Sequence, residues 1–117
     1  MKKILIIDDE KNIRAIYEEE LSEEGYKTLS SPSIKDALKK IEEFSPDLII
    51  LDIKMPEIDG LEGLKKIKTL YKDIPVILCS AYDNYKQDFI TWSADDYVIK
   101  SSDLTELKEK IKKILNE

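Results

Sequence analysis

Histidine is absent from these 117 residues, and that alone removes several chemistries. There is no Ser-His-Asp triad, no imidazole ligand for zinc and no histidine acid–base catalyst. The single cysteine, Cys79, permits no internal disulfide, and its place in an apolar run reads as a buried, inert thiol. Three glycines, Gly25, Gly60 and Gly63, leave no glycine-rich loop after the first strand to cradle a nucleotide. No apolar stretch approaches the length of a membrane span or a signal-peptide core. The chain therefore reads as cytoplasmic, with no membrane partner. A net charge of −6 argues against a nucleic-acid surface, because phosphate neutralisation needs clustered Lys and Arg.

What is present is a chain with 42% apolar and 38% charged residues, enough to build one core and one domain over residues 1–117. Ile4 to Ile7 is an apolar run and reads as strand one. Ile13, Ile16, Tyr17 and Leu21 follow at helical spacing, and Gly25 supplies the stop. Tyr26 to Ser30 is a short alternating strand. Ser33 caps a second helix, with Asp36 three residues on and Ile34, Ala37, Leu38 and Ile41 inward. Strand three is Leu48 to Leu51. A third helix follows Gly60, with Leu61, Leu64, Ile67 and Leu70 inward. Strand four is Val76 to Cys79. Asp83 to Trp92 forms a fourth helix, short because its residues are poor helix formers. Tyr97 to Ile99 is strand five. Asp103 caps the last helix, whose core face is Leu104, Leu107, Ile111 and Ile114. Strands alternating with helices define an α/β fold around a parallel sheet.

The stretch Asp47 to Gly60, DLIILDIKMPEIDG, organises the rest. Its apolar run lacks polar alternation, as in a strand buried on both faces. The run stops at Asp52, at the carboxyl end of a central strand, the edge where open α/β sheets bind ligands. Asp8 and Asp9 follow strand one, Ser80 follows strand four and Lys100 follows strand five. Each has a plain alternative: Asp52 ends a strand, Asp8 or Asp9 caps a helix, Ser80 opens a turn, Lys100 is solvated. Parallel strands would nonetheless bring all of them to one edge. Clustered carboxylates repel, and a hard divalent cation such as Mg²⁺ or Mn²⁺ relieves the repulsion. A carboxylate beside such a metal can serve as nucleophile toward a phosphoryl group. Positioning and positive charge then supply most of what phosphoryl transfer needs.

These motifs, ILIIDDE at 4–10, DLIILDIKMPEIDG at 47–60, VILCSAY at 76–82 and DDYVIK at 95–100, resemble the receiver domains of bacterial two-component response regulators. The resemblance implies a flavodoxin-like, doubly wound (βα)5 fold with strand order 2-1-3-4-5. It implies a phospho-acceptor at Asp52 and a metal site of Asp8, Asp9, Asp52 and the Lys54 backbone carbonyl. Ser80, Ala81, Lys100 and Tyr97 form the implied phosphate-binding and switch set. The implied donor is a sensor histidine kinase, and the implied output face is the fourth helix, fifth strand and fifth helix. Receiver domains usually place a cis proline after the lysine and a glycine before the Ala-Asp-Asp-Tyr stretch. Ser101 and Ser93 stand at these positions.

The expected protein is a stand-alone, monomeric switch, not a turnover enzyme. It would signal by contact with a downstream protein or pass its phosphoryl group to a phosphotransfer protein, without binding nucleic acid. Lys108, Lys110, Lys112 and Lys113 alternate with Glu106 and Glu109 and read as a solvated face. Trp92 reads either as a partner anchor or as a side chain buried against the last helix. Two alternatives use the same edge. A haloacid-dehalogenase-like phosphatase would want a second Asp two residues after the nucleophile, where Lys54 stands. A flavodoxin-like flavin or nucleotide binder would want the missing phosphate loop.

Overall fold

The buried runs read from the sequence pair into one sheet. The computed structural model describes residues 1–53, 58–81 and 94–116. Five strands, β1 (Lys3–Ile7), β2 (Lys27–Ser31), β3 (Leu48–Ile53), β4 (Val76–Ser80) and β5 (Asp96–Ile99), lie parallel in the order β2-β1-β3-β4-β5. Among the described residues the helices are α1 (Lys11–Glu23), α2 (Ile34–Phe44), α3 (Ile58–Leu70) and α4 (Thr105–Leu115), the last in the chain. The sequence-based fourth helix, Asp83 to Trp92, lies outside the described residues, as do Lys54, Trp92 and Ser93.

Two cores flank the sheet. On one face Leu5, Ile7, Ile49, Leu51, Val76, Leu78 and Tyr97 meet Ala37 and Ile41 of α2 and Leu64 and Ile67 of α3. On the other, Ile4, Ile6, Leu48, Ile50, Ile77, Cys79 and Val98 meet Tyr17 and Leu21 of α1 and Leu107 and Ile111 of α4. Burial on both faces is why β1, β3 and β4 lack polar alternation. Each fully buried aliphatic side chain contributes about 1.5–3 kcal/mol, so the two faces supply most of the stability.

Local signals place the helices. The Ser33 hydroxyl accepts the Asp36 N–H at 3.1 Å, the N-cap bond read from the sequence. Gly25, at φ +96°, turns the chain out of α1 in the left-handed region open to glycine. A Cβ on Gly63 would stand 2.6 Å from the Ile34 side chain, so a glycine lets α3 approach the start of α2.

Several expectations shift. β3 runs on to Ile53, so Asp52 lies inside the strand, paired in register with Cys79. β2 begins one residue later than read, at Lys27, and β4 and β5 gain Ser80 and Asp96. Leu70 is 59% exposed, against the inward placement expected of it, and Ile16, one of the apolar residues at helical spacing in α1, is 49% exposed. Ile16 lies about 100° round α1 from the buried Tyr17, and Leu70 is the last residue of α3, where the chain leaves the core face held by Leu64 and Ile67. Asp103 stands one residue before the α4 cap, and its carboxylate accepts the Thr105 N–H at 2.9 Å and hydroxyl at 2.6 Å. The α4 lysines are not simply solvated. Lys108 pairs with Glu20 of α1 at 2.7 Å, and Lys110 with Asp96 at 3.0 Å and the Tyr97 carbonyl at 2.7 Å. These are surface pairs worth at most about 1 kcal/mol each, so they orient α4 more than they hold it.

Candidate functional site

Strand alternation sorts the polar residues at the carboxyl edge. Asp8 continues the face of Ile4 and Ile6, Asp52 that of Leu48 and Ile50, and Lys100 that of Val98, all on the α1/α4 side. Ser80 continues Val76 and Leu78 toward the α2/α3 side, where Tyr97 is buried. The acidic cluster and the hydroxyl–aromatic pair thus approach one edge from opposite faces of the sheet.

The cluster is close. One carboxylate oxygen from each of Asp8, Asp9 and Asp52 lies within 4.8 Å of the others. Asp8 is 2% exposed, whereas Asp9 is exposed. Lys100 Nζ reaches Asp52 Oδ1 at 2.5 Å and Asp8 Oδ2 at 3.3 Å. The chain around Asp8 is held by three bonds. Its N–H donates to the Ser31 carbonyl at 3.0 Å, its carbonyl accepts Arg14 Nη1 at 2.7 Å, and its Oδ1 accepts the Glu10 N–H at 2.8 Å.

Charge is strained here. Burial pushes the Asp52 carboxyl up to about 6; Lys100 opposes the rise, and Asp8 and Asp9 add to it. Burial works against the Lys100 ammonium, but Asp52 and Asp8 outweigh it and hold its pKa above the ordinary value. Asp8 Oδ2 and Asp52 Oδ1 are buried with no hydrogen-bond partner, so Lys100 meets them as a charge and not as an aligned donor. A set of carboxylate oxygens with two unsatisfied members, and neither His nor Cys among its ligands, fits a hard cation such as Mg²⁺.

The other sequence-based residues fall as follows. Ser80 is buried, and its carbonyl accepts the Lys100 N–H at 2.6 Å, which ties the end of β4 to the end of β5. Ala81 is exposed beside it. Tyr97 is 1% exposed, packed inward. Lys54 lies outside the described residues. The Lys100–Ser101 peptide is trans, the form expected without proline, since a cis bond to serine costs about 3–4 kcal/mol. Cys79 is buried, with its thiol pushed up to about 12 by burial, as an inert thiol should be. Arg14 and Tyr17 are neighbours of the cluster that the sequence did not single out. Tyr17 lines a groove of about 390 Å³ with Ile13, Ile16, Lys100, Ser101 and Ser102. The exposure of Ile16, unexplained by α1 alone, belongs to this groove.

The response regulator receiver domain profile matches residues 4–112. Among curated proteins, the chain is 35% identical over 116 residues to sporulation initiation phosphotransferase F of Bacillus subtilis, covering 97% of this chain and 94% of that protein. It is 44% identical over 108 residues to a protein-glutamate methylesterase/protein-glutamine glutaminase of Trichodesmium erythraeum, covering 87% of this chain and 31% of that protein. The chain spans less than half the length of several curated relatives that it matches. Among solved structures, the response regulator TrrA of Thermotoga maritima in complex with Mg²⁺ and BeF is 49% identical, with a TM-score of 0.87 and coverage of 97% of this chain and 99% of that one. The same regulator in complex with the histidine kinase ThkA gives 50% identity, a TM-score of 0.87 and coverage of 98% and 99%.

Proposed function

This chain belongs to the response regulator receiver domain family, and on that premise we propose that Asp52 is the phospho-acceptor of a Mg²⁺-dependent switch. The observation that carries this is the convergence of Asp8, Asp9, Asp52 and Lys100 at one sheet edge, with two buried carboxylate oxygens left without hydrogen bonds.

Asp8, Asp9 and Asp52 would hold the cation, joined by the Lys54 carbonyl that the family pattern adds. Bound there, Mg²⁺ would offset the carboxylate charge and the charge of the incoming phosphoryl oxygens. Asp52 attacks phosphorus through a carboxylate oxygen while the phosphoryl bond to the donor nitrogen breaks. Burial keeps water from the acceptor, and Lys100 can leave Asp52 for the phosphoryl group as negative charge builds there. The donor we assign is a sensor histidine kinase, as the TrrA–ThkA complex supports for a close relative. Its approach lies over the groove of Ile13, Ile16 and Tyr17, which places apolar surface beside Lys100. The chain would act in the cytoplasm as a monomeric switch and not as an enzyme on external substrates. Its output would pass by contact with a downstream protein or phosphotransfer protein, without nucleic acid.

Ser80 and Tyr97 would carry the signal across the sheet, since they share the face opposite Asp52. Beryllofluoride with Mg²⁺ should therefore change amide exchange at Ser80 and over residues 94–101, and leave it unchanged in Asp52→Asn. A wild-type pattern that does not move while the mimic is bound would put the output elsewhere.

Cation binding has its own test. Mg²⁺ at roughly ten times its dissociation constant should stabilise the wild type by about 1.4 kcal/mol, read as a rise in melting temperature. Asp9 is exposed, so Asp9→Ala should leave the metal-free melting curve nearly unchanged and abolish most of that rise. An equal rise in Asp9→Ala would remove Asp9 from the site.

A further inference from the structure

We propose that Arg14 is a positioning residue for the cation site, acting through the backbone of Asp8. The inference rests on the reading that Asp8, Asp9 and Asp52 hold a divalent cation.

Three bonds fix Asp8, and they differ in kind. The Asp8 N–H bond to Ser31 O continues the ladder between β1 and β2, and the Glu10 N–H bond to Asp8 Oδ1 closes the turn into α1. Both depend on backbone that the fold supplies. The third, from Arg14 Nη1 to the Asp8 carbonyl at 2.7 Å, is made by a side chain reaching back from α1. That carbonyl belongs to the peptide joining Asp8 to Asp9. Because the peptide is planar, holding its oxygen fixes the plane that joins the Cα atoms of Asp8 and Asp9, and so limits the backbone torsions from which both carboxylates depart. On this held backbone, Asp8 Oδ2 has no hydrogen-bond partner and lies 3.3 Å from Lys100 Nζ.

Charge alone points the other way. A guanidinium held at the Asp8 carbonyl adds positive charge near the site, so deleting it should tighten Mg²⁺ binding if charge is all it contributes. Loss of positioning should weaken binding, as removal of groups that orient metal ligands commonly does. The two roles predict opposite signs.

Isothermal titration calorimetry of the full chain with MgCl₂ separates them, using wild type, Arg14→Met and Arg14→Ala. Both variants should bind Mg²⁺ roughly tenfold more weakly than wild type. Both variants should stay folded, with circular dichroism matching wild type and the metal-free melting temperature lowered only slightly by the lost bond, since Arg14 is half-buried at the surface and outside both cores. With acetyl phosphate as donor, the Mg²⁺ concentration giving half-maximal phosphorylation should rise in step, while the rate at saturating Mg²⁺ returns to near the wild-type value. Binding as tight as wild type, or tighter, in either folded variant overturns the proposal. A wild type that takes up no Mg²⁺ overturns the cation site itself, a separate and distinguishable result.

Discussion

Asparagine in place of Asp52 is expected to make the metal-free protein more stable at pH 7 than the wild type. The Asp52 carboxyl is buried, and its pKa is raised to about 6 by burial, with Lys100 opposing and Asp8 and Asp9 adding to the rise. Set against the ordinary aspartate value near 4, that rise corresponds to roughly 3 kcal/mol between the protonation states, an upper bound for the effect. The sign follows from proton uptake. Between about pH 4 and pH 6 the folded protein keeps a proton on Asp52 that the unfolded chain has released. Stability contributed by this group is complete below about pH 4 and is lost as pH rises through 6. The neutral amide of the Asp52→Asn variant carries no such loss. Lys100 gives up its contact at 2.5 Å but keeps Asp8 at 3.3 Å, which trims the gain without reversing it. Urea denaturation in the absence of divalent ions should show Asp52→Asn ahead by about 2 kcal/mol at pH 7, and the gap should close toward pH 4. A less stable variant at pH 7 would mean that the Lys100 pair, and not the buried charge, dominates this edge of the sheet.

That ordering of forces explains why the fold was legible and where it was not. β1, β3 and β4 declare themselves because each is buried on both faces, so that after Lys3 at the start of β1 their sequences carry no polar residue until the strand end. The same rule misplaced the end of β3. An apolar run stops at Asp52, but backbone pairing with β4 does not, and Asp52 remains in register with Cys79. Leu70 reads as inward because it is the next apolar residue after Ile67, yet it ends α3 exposed while Tyr71, just beyond the helix, packs against the core. The lysines of α4 read as solvated because their partners, Glu20, Glu24 and Asp96, are distant in sequence.

The site was legible for the same reason as the strands: parallel topology turns four strand ends into one edge. Asp8, Asp52 and Lys100 meet there as placed, and Asp9 joins them from the turn. Alternation also separates Ser80 and Tyr97 onto the opposite face, which position along the chain did not suggest. Arg14 was invisible. Its link to Asp8 runs from a side chain to a backbone carbonyl across a turn, and such a bond leaves no period or motif in the sequence.

The central claim is that Asp52 accepts the phosphoryl group, and intact-mass spectrometry tests it most directly. Wild type and Asp52→Asn are incubated with Mg²⁺ and acetyl phosphate, then measured before and after acid treatment. The wild type should gain the mass of one phosphoryl group in an acid-labile form, as expected of an aspartyl phosphate. The variant should gain none, because the amide lacks the carboxylate nucleophile, although it is the more stable metal-free protein. Any loss of labelling then cannot be laid to unfolding. Equal labelling of the two proteins would contradict the assignment of Asp52 and, with it, the reading of the whole edge.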